Sequence, residues 1–313
     1  MKILFLGAGE FAIPTLELLA GEKMVSDLLV ITQPDRGKGR GRKPAPTPVK
    51  ETARRLELEV LTPKDVNSPE SLAAIDKFAP DYLVLVDFGA RLTPETISRP
   101  KRAAINLHPS LLPAYRGPAP LAWVLLKGEP VTGVTTQLIG EKIDCGHILL
   151  QEPTFIRDHE TLPELSYRLS HIGAPLVIRT IREWEEGSIE PRPQDERLAS
   201  KAPKLKKEDG LIDWNEPAEK IFNRIRGLNP WPGTYTFHHG KRVKVLEAEP
   251  LAAEAFPQPP GSITTDGDRL IVFCGNNSRL EIKKLQPAGK PVRTAAQFIH
   301  GLKKRERDCF STS

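Results

Sequence analysis

Only three cysteines, Cys145, Cys274 and Cys309, occur in the 313 residues, and none forms a Cys-x-x-Cys pair. So odd and scattered a set argues against a disulfide framework and fits a reducing compartment, so a cytoplasmic location is expected. Clusters of histidine and cysteine at metal-ligand spacing are also missing, and no metal is expected. No apolar run approaches the ~18 residues that suggest a membrane span. The opening "MKILFLGAGEF" is broken by glycine and glutamate too early for a signal peptide, so none is expected. Internal repeats are absent. What remains is ordinary for a globular chain: 39% hydrophobic and 27% charged residues. The length suits two domains of roughly 150 residues, each able to bury a core.

Charge is uneven. The net charge is +5; residues 1–200 hold 25 Lys+Arg against 27 Asp+Glu, and residues 201–313 hold 20 against 13. A basic second half suits a polyanionic partner, or simply solubility.

"KILFLG", "SDLLVITQ", "EVLTP", "PDYLVLVDFG" and "RAAINLH" read as strands, several of them apolar on both faces. Between them "FAIPTLELLA", "VKETARRLEL", "SPESLAAIDKFA" (with a capping pattern at Ser68 and Glu70) and "TPETISR" read as helices. The alternation predicts an α/β domain with a Rossmann-like parallel sheet. "GVTTQLI" and "GHILLQEPTFI" are expected to pair as antiparallel strands, followed by one long helix or a helix pair. From Ser188 the chain turns polar and proline-bearing, which reads as a linker. One helix between Asn215 and Gly227 and about five short strands follow. Turns are signalled at His239-Gly240, Asp266-Gly267 and Gly275-Asn276-Asn277. This predicts a small OB-like β-barrel. The expected divisions are 1–187, a linker over 188–207, and 208–313.

Two loops sit where a parallel sheet binds ligands. "GAGEFA" (Gly7–Ala12) fits the dinucleotide fingerprint GxGxxA, in which glycines let backbone approach a pyrophosphate. The second strand, however, ends in Thr32 and Gln33 rather than the acid that would hold a ribose, although Arg36 is placed to meet a 2′-phosphate. An NADP-dependent dehydrogenase and a simple tight turn both fit. "RGKGRGRK" places five cations in eight residues with no acid. It is expected to be a mobile loop that orders on a phosphate backbone, or a solvated charge run.

"INLHPSLLPAYRG" carries the sharpest chemistry. Asn106 and His108 are two apart on a strand, so their side chains share a face. An amide N–H and an imidazole together suit an oxygen that gains negative charge in a transition state. Downstream, Asp144 is a candidate to orient the ring or relay a proton.

Asn-x-His, then "SLLP", then Asp closely followed by Gly, resembles the folate-dependent formyltransferases, and among them the branch acting on methionyl-tRNA. "TQPDR", "PTPVK", "RGPAPLAWVLLKGEPVTGVTT" and "LNPWPGTYT" carry the resemblance across nearly the whole chain. It implies formyl transfer from N10-formyltetrahydrofolate to the α-amino group of methionyl-initiator-tRNA, without a metal or a membrane, by a monomer. It also implies that Asn106, His108 and Asp144 are catalytic. Ser110, Leu111, Leu112 and Pro113, with Phe88 and Gly89, would bind the folate; Arg36, Lys38, Arg40, Arg42 and Lys43 would grip the acceptor stem, and the basic barrel would hold more distant backbone. The chain departs from the family habit at Ala90, Arg91, Ala114, Gly140, Cys145 and His147. An amino-sugar-nucleotide formyltransferase, a formyl-folate hydrolase and a tRNA-binding module without catalysis are the competing readings.

Overall fold

A computed structural model describes residues 1–38, 43–252, 258–301 and 309–312. The chain divides into two compact units, one of Met1–Pro120, Val131–Phe155 and Pro163–Pro203, the other of Leu121–Pro130, Ile156–Leu162 and Lys204–Ser313.

In chain order the elements up to residue 185 are β1 (Lys2–Gly7), α1 (Ile13–Gly21), β2 (Asp27–Ile31), β3 (Arg36–Lys38), β4 (Lys43–Ala45), α2 (Pro48–Arg55), β5 (Glu59–Leu61), α3 (Pro69–Phe78), β6 (Tyr82–Val86), α4 (Pro94–Ile97), β7 (Ala103–His108), α5 (Pro120–Lys127), β8 (Val131–Leu138), β9 (Ile148–Phe155) and α6 (Leu162–Glu185). The main sheet has the order β5-β2-β1-β6-β7-β8-β9. β5 through β7 are parallel, and β8 and β9 add antiparallel at the far edge. The order reverses between β1 and β6. Ligands bind beyond the strand ends at such a switch point.

The continuous apolar runs follow from burial on both faces. Leu4, Leu6, Leu29, Ile31 and Leu83 join Ile75 of α3 in one core cluster, while Ile3 and Phe5, fully buried, take the other face. The strand that carries Asn106 and His108 is clamped from behind: a Cβ on Gly173 of α6 would lie 2.6 Å from Leu107 Cδ2. The long amphipathic segment is a single helix despite Pro175. Ser68 caps α3 as its sequence pattern predicts, accepting from the Ser71 N–H.

Two segments differ from their sequence readings. Part of the basic "loop" is an antiparallel ribbon, with Gly37 opposite Pro44 and Lys38 opposite Lys43. Backbone pairing needs no packed side chains, so composition hides it; residues 39–42 lie outside the described set. The stretch 188–203 is packed within the first unit: Arg192 exchanges backbone hydrogen bonds with Ile148 (2.8 and 2.9 Å), the Ala202 N–H donates to Arg116 O (2.7 Å), and the Arg116 N–H donates to Ser200 O (2.9 Å).

The second unit contains α7 (Ala218–Leu228), β10 (Thr234–His238), β11 (Lys241–Leu251), β12 (Ile263–Asp266), β13 (Arg269–Phe273), β14 (Arg279–Pro287), β15 (Arg293–Thr294), α8 (Ala295–Ile299) and β16 (Phe310–Ser311). The sheet runs β12-β13-β14-β11-β10-β16, with β15 beside β14. A bulge in β11 near Glu247 lets it coil. The last strand then meets the opposite edge: Phe310 N–H donates to Gly261 O at 2.8 Å. This is the expected OB-like barrel. Ile221 and Ile225 of α7 enter its core with Val243, Val245 and Leu285. Trp214 stacks on Phe310 (5.6 Å, 16°). The turns at His239-Gly240 and Asn276-Asn277 have the positive φ that their sequence signals require. Among the described residues no helix is long and apolar enough to cross a membrane.

Candidate active site

β7 ends between β6 and β8, in register with Leu85–Val86 on one side and Thr135–Gln137 on the other. Alternation sends Asn106 and His108 to one face, where they are 9% and 4% exposed. Asp144, in the loop after β8, reaches both. Its Oδ1 lies 3.4 Å from Asn106 Nδ2, 3.5 Å from His108 Nδ1 and 3.2 Å from Gln137 Nε2. Its Oδ2 accepts the Gly117 N–H at 2.8 Å. His108 Nε2 is 3.0 Å from Tyr115 O, so each ring nitrogen faces an oxygen. The structure therefore brings together the three residues whose proximity the sequence left open.

A shell unmarked in the sequence holds this cluster. Gln194, from the stretch read as a linker, directs Nε2 at Asp144 O (3.0 Å), Gly146 O (2.8 Å) and Gln137 Oε1 (3.2 Å). Its own Oε1 accepts from Arg116 Nε at 2.8 Å. Arg116 also forms a two-pronged pair with Glu196 (2.9 and 3.0 Å), whose hydrogen bonds hold the exposed Glu196 carboxyl below its ordinary range. Only the polar composition around Gln194 hinted at such a role.

A cleft opens beside the trio. Asn106 and Asp144 line it with Leu85, Leu92, Ile97 and Ile139, and Arg91 and Ile143 lie at its rim. Arg91 Nη2 crosses to Glu141 O at 2.9 Å. The residues matched to folate binding lie elsewhere or face inward. Ser110 is 1% exposed, and its hydroxyl donates to Ala114 O. Leu111 fits against Gly133, whose Cβ would be 2.6 Å from Leu111 Cδ2. Leu112 N–H donates to Thr135 Oγ1, and Pro113 O receives the Ser200 N–H. Leu112-Pro113 is a cis peptide. Phe88 is buried in the core, its carbonyl accepting from Gln33 Nε2 at 2.6 Å. Gly89 follows with φ +74°. The apolar cleft residues come from β6, α4 and two loops, and no local motif announced them.

Arg36 and Lys38 lie on β3 and Lys43 on β4; Arg40 and Arg42 fall outside the described residues. Among the described residues no group of three or more His, Cys, Asp or Glu is placed to hold a metal.

The glycine loop holds the backbone carbonyl of Asp87 and leaves room for its side chain. Asp87 O accepts the N–H groups of Ala8 (3.0 Å) and Gly9 (3.4 Å). A Cβ on Gly9 would fall 1.9 Å from Asp87 Oδ2. The packed chain pushes this carboxyl up to about 6 by desolvation, although the residue keeps one side open to water. Gly9 is small because Asp87 needs the space, and an acid there opposes a pyrophosphate. The dinucleotide reading loses its main support.

Residues 1–181 match the formyl transferase family, and residues 204–303 match the formyl transferase C-terminal domain family. The fold and the trio define the chain as a formyl transferase. Among curated relatives, the methionyl-tRNA formyltransferase of Thermodesulfovibrio yellowstonii is 42% identical over 312 residues, 99% of each chain. That of Caldanaerobacter subterraneus is 40% identical over 303 residues, covering 96% of this chain and 97% of its own. The chain belongs to the methionyl-tRNA formyltransferase family. Among solved structures, a Helicobacter canadensis N-formyltransferase in complex with folinic acid and dTDP-3-aminofucose shares the fold at TM-score 0.68 and 17% identity, covering 92% of this chain and 99% of that one. HypX from Aquifex aeolicus in complex with tetrahydrofolic acid gives 0.62 and 19%, covering 100% and 51%.

Proposed function

We propose that the chain transfers the formyl group of N10-formyltetrahydrofolate to the α-amino group of methionine carried by initiator tRNA, acting as a monomer in the cytoplasm. The observation that carries this is the convergence of Asn106 and His108 on Asp144 in a chain that matches methionyl-tRNA formyltransferases from end to end. A free α-amino group titrates at about 7.7–8.0 and an esterified one lower, so much of the nucleophile is neutral near neutral pH. The harder task is the oxyanion that forms as nitrogen adds to the formyl carbon. N–H groups of Asn106 and His108 stabilise it. The C–N10 bond then breaks, and the proton lost by the new amide nitrogen passes by way of His108 and Asp144 to N10. The basic stretch from Arg36 to Lys43 grips the tRNA, with the cleft beside Asn106 taking the folate.

The test compares two acceptors with one donor: charged initiator tRNA and a dTDP-linked amino sugar. Formylation of the tRNA alone is expected. Transfer to the sugar, or release of formate without transfer, would replace the proposal by one of its rivals. Asn106→Ala should slow tRNA formylation by ~10²–10³, the usual effect of removing one oxyanion donor. Arg40→Ala should raise KM for tRNA without changing transfer to a free amine. Sedimentation at assay concentration checks the monomer.

A further inference from the structure

Gln137 is a buried side chain at the trio that the mechanism above leaves unused. It sits on β8 directly opposite Asn106 of β7, so the two side chains share a face of the sheet. It is 2% exposed and lines the cleft with Asn106 and Asp144. The β8–β9 ladder slips at this point, pairing Thr136 with Leu150 but Gln137 with Ile148. A bulge of this kind re-aims a side chain. Ile148 also exchanges backbone hydrogen bonds with Arg192, in the segment that brings Gln194 to Gln137.

The direction of its amide is fixed by partners that can act in one way only. Arg116 Nε, a donor, points at Gln194 Oε1 at 2.8 Å. The other end of Gln194 meets the backbone carbonyls of Asp144 and Gly146, which only accept, so that end is the amide nitrogen. This nitrogen also donates to Gln137 Oε1 at 3.2 Å, which leaves Gln137 Nε2 to donate to Asp144 Oδ1, again at 3.2 Å. Donors therefore run in one direction, from Arg116 to the Asp144 carboxylate.

Asp144 Oδ1 is crowded. Gln137 Nε2 at 3.2 Å shares it with Asn106 Nδ2 at 3.4 Å and His108 Nδ1 at 3.5 Å. A carboxylate oxygen offers about two lone-pair sites, and hydrogen bonds from nitrogen usually span ~2.7–3.2 Å. Gln137 makes the shortest of these contacts, so Asn106 and His108 stand near but are loosely engaged. We propose that Gln137 is a positioning residue. It holds Asp144 in place of the two catalytic side chains, so that their N–H groups are released for the oxyanion and the proton. Without it, Asp144 would draw on Asn106 and His108 during the step that needs them elsewhere. This rests on the function proposed above and adds the residue that separates holding the carboxylate from stabilising the charge.

The experiment measures tRNA formylation by the full chain for wild type, Gln137→Met, Gln137→Glu, Asp144→Asn and the double variant Gln137→Met with Asp144→Asn. Gln137→Met keeps the volume and removes the donor. Its kcat should fall at least about tenfold, since a shift of ~1 Å in a positioned group can cost ~10²-fold. KM for tRNA and for the folate should stay within about twofold, because no substrate contact is removed. Gln137→Glu keeps the shape and the acceptor for Gln194 but turns an oxygen toward Asp144, so its loss should be at least as large. In the Asp144→Asn background, Gln137→Met should change kcat by less than about twofold, because residues that act through one another are not additive. A Gln137→Met enzyme with normal kcat, or an equal loss in both backgrounds, would overturn the assignment. So would a Gln137→Glu enzyme at the wild-type rate, which would reduce Gln137 to a partner of Gln194. Should Gln137→Met fail to fold, the isosteric Gln137→Glu carries the same cycle. A wild-type chain that formylates no tRNA would defeat the proposed function itself; an active wild type with any of the overturning outcomes would defeat only this step.

Discussion

At the scale of single residues, the sequence showed the direction of Asn106 and His108 because a strand's two-residue period is absolute. It could not show that Asp144 meets them, since that depends on a loop turning through a left-handed residue (φ +54°). Gly146 sets the path of that loop. A Cβ there would lie 1.7 Å from Leu138 O, a carbonyl fixed in β8, and the Gly146 carbonyl also receives Gln194. Backbone cannot yield as a flexible side chain can, so Gly146→Ala must shift the loop and carry Asp144 away from His108. A shift of ~1 Å in a positioned group can cost ~10²-fold in rate. We therefore expect kcat to fall by at least about tenfold while far-UV circular dichroism stays unchanged. A variant with normal kcat would show that the loop tolerates the movement.

At the scale of elements, the sheet was legible because each buried strand is apolar throughout and each helix carries its own periodicity. The ribbon β3–β4 and the stretch 188–203 were not. The ribbon is held by local backbone pairing and the stretch 188–203 by partners far away in sequence, and the composition of both is that of a solvated segment. The second case has consequences for the site. Gln194 supplies a hydrogen-bonded prop to two carbonyls of the Asp144 loop, whereas Glu196, two residues on, pairs with Arg116 from a side chain that is 75% exposed. Buried acceptors left without a donor cost ~1–3 kcal/mol, but exposed ion pairs contribute ~0–1 kcal/mol. Gln194→Ala should thus lower the Tm by several degrees and reduce kcat. Glu196→Ala should leave both nearly unchanged. Thermal melts and initial rates on the two variants decide whether the segment is a prop or a tether.

At the scale of the whole chain, the charge asymmetry read from sequence acquires a location. Many cations of the second unit are matched by acids: Lys220 and Arg224 by Glu216, Arg269 and Lys283 by Glu281, Lys284 by Glu247. The start of β11 differs. Lys241 and Lys244 have no acid partner among the described residues, and Arg242 lies over the Tyr235 ring at 3.6 Å. A strand with unmatched cations beside an aromatic ring is suited to a phosphate backbone. Each phosphate neutralised releases counterions, and log K falls with log salt by ~0.9 for each contact on a duplex. Affinity for charged tRNA should fall steeply between low and moderate salt, while tetrahydrofolate binding, which we propose for the cleft in the first unit, should change little. Lys241→Glu with Lys244→Glu should weaken tRNA binding and flatten the salt slope by about two contacts' worth, with kcat at saturating tRNA retained. Filter binding over a salt series, on wild type and the double variant, measures both slopes. Equal slopes would remove this strand from the tRNA path and leave the basic stretch at 36–43 as the proposed principal contact.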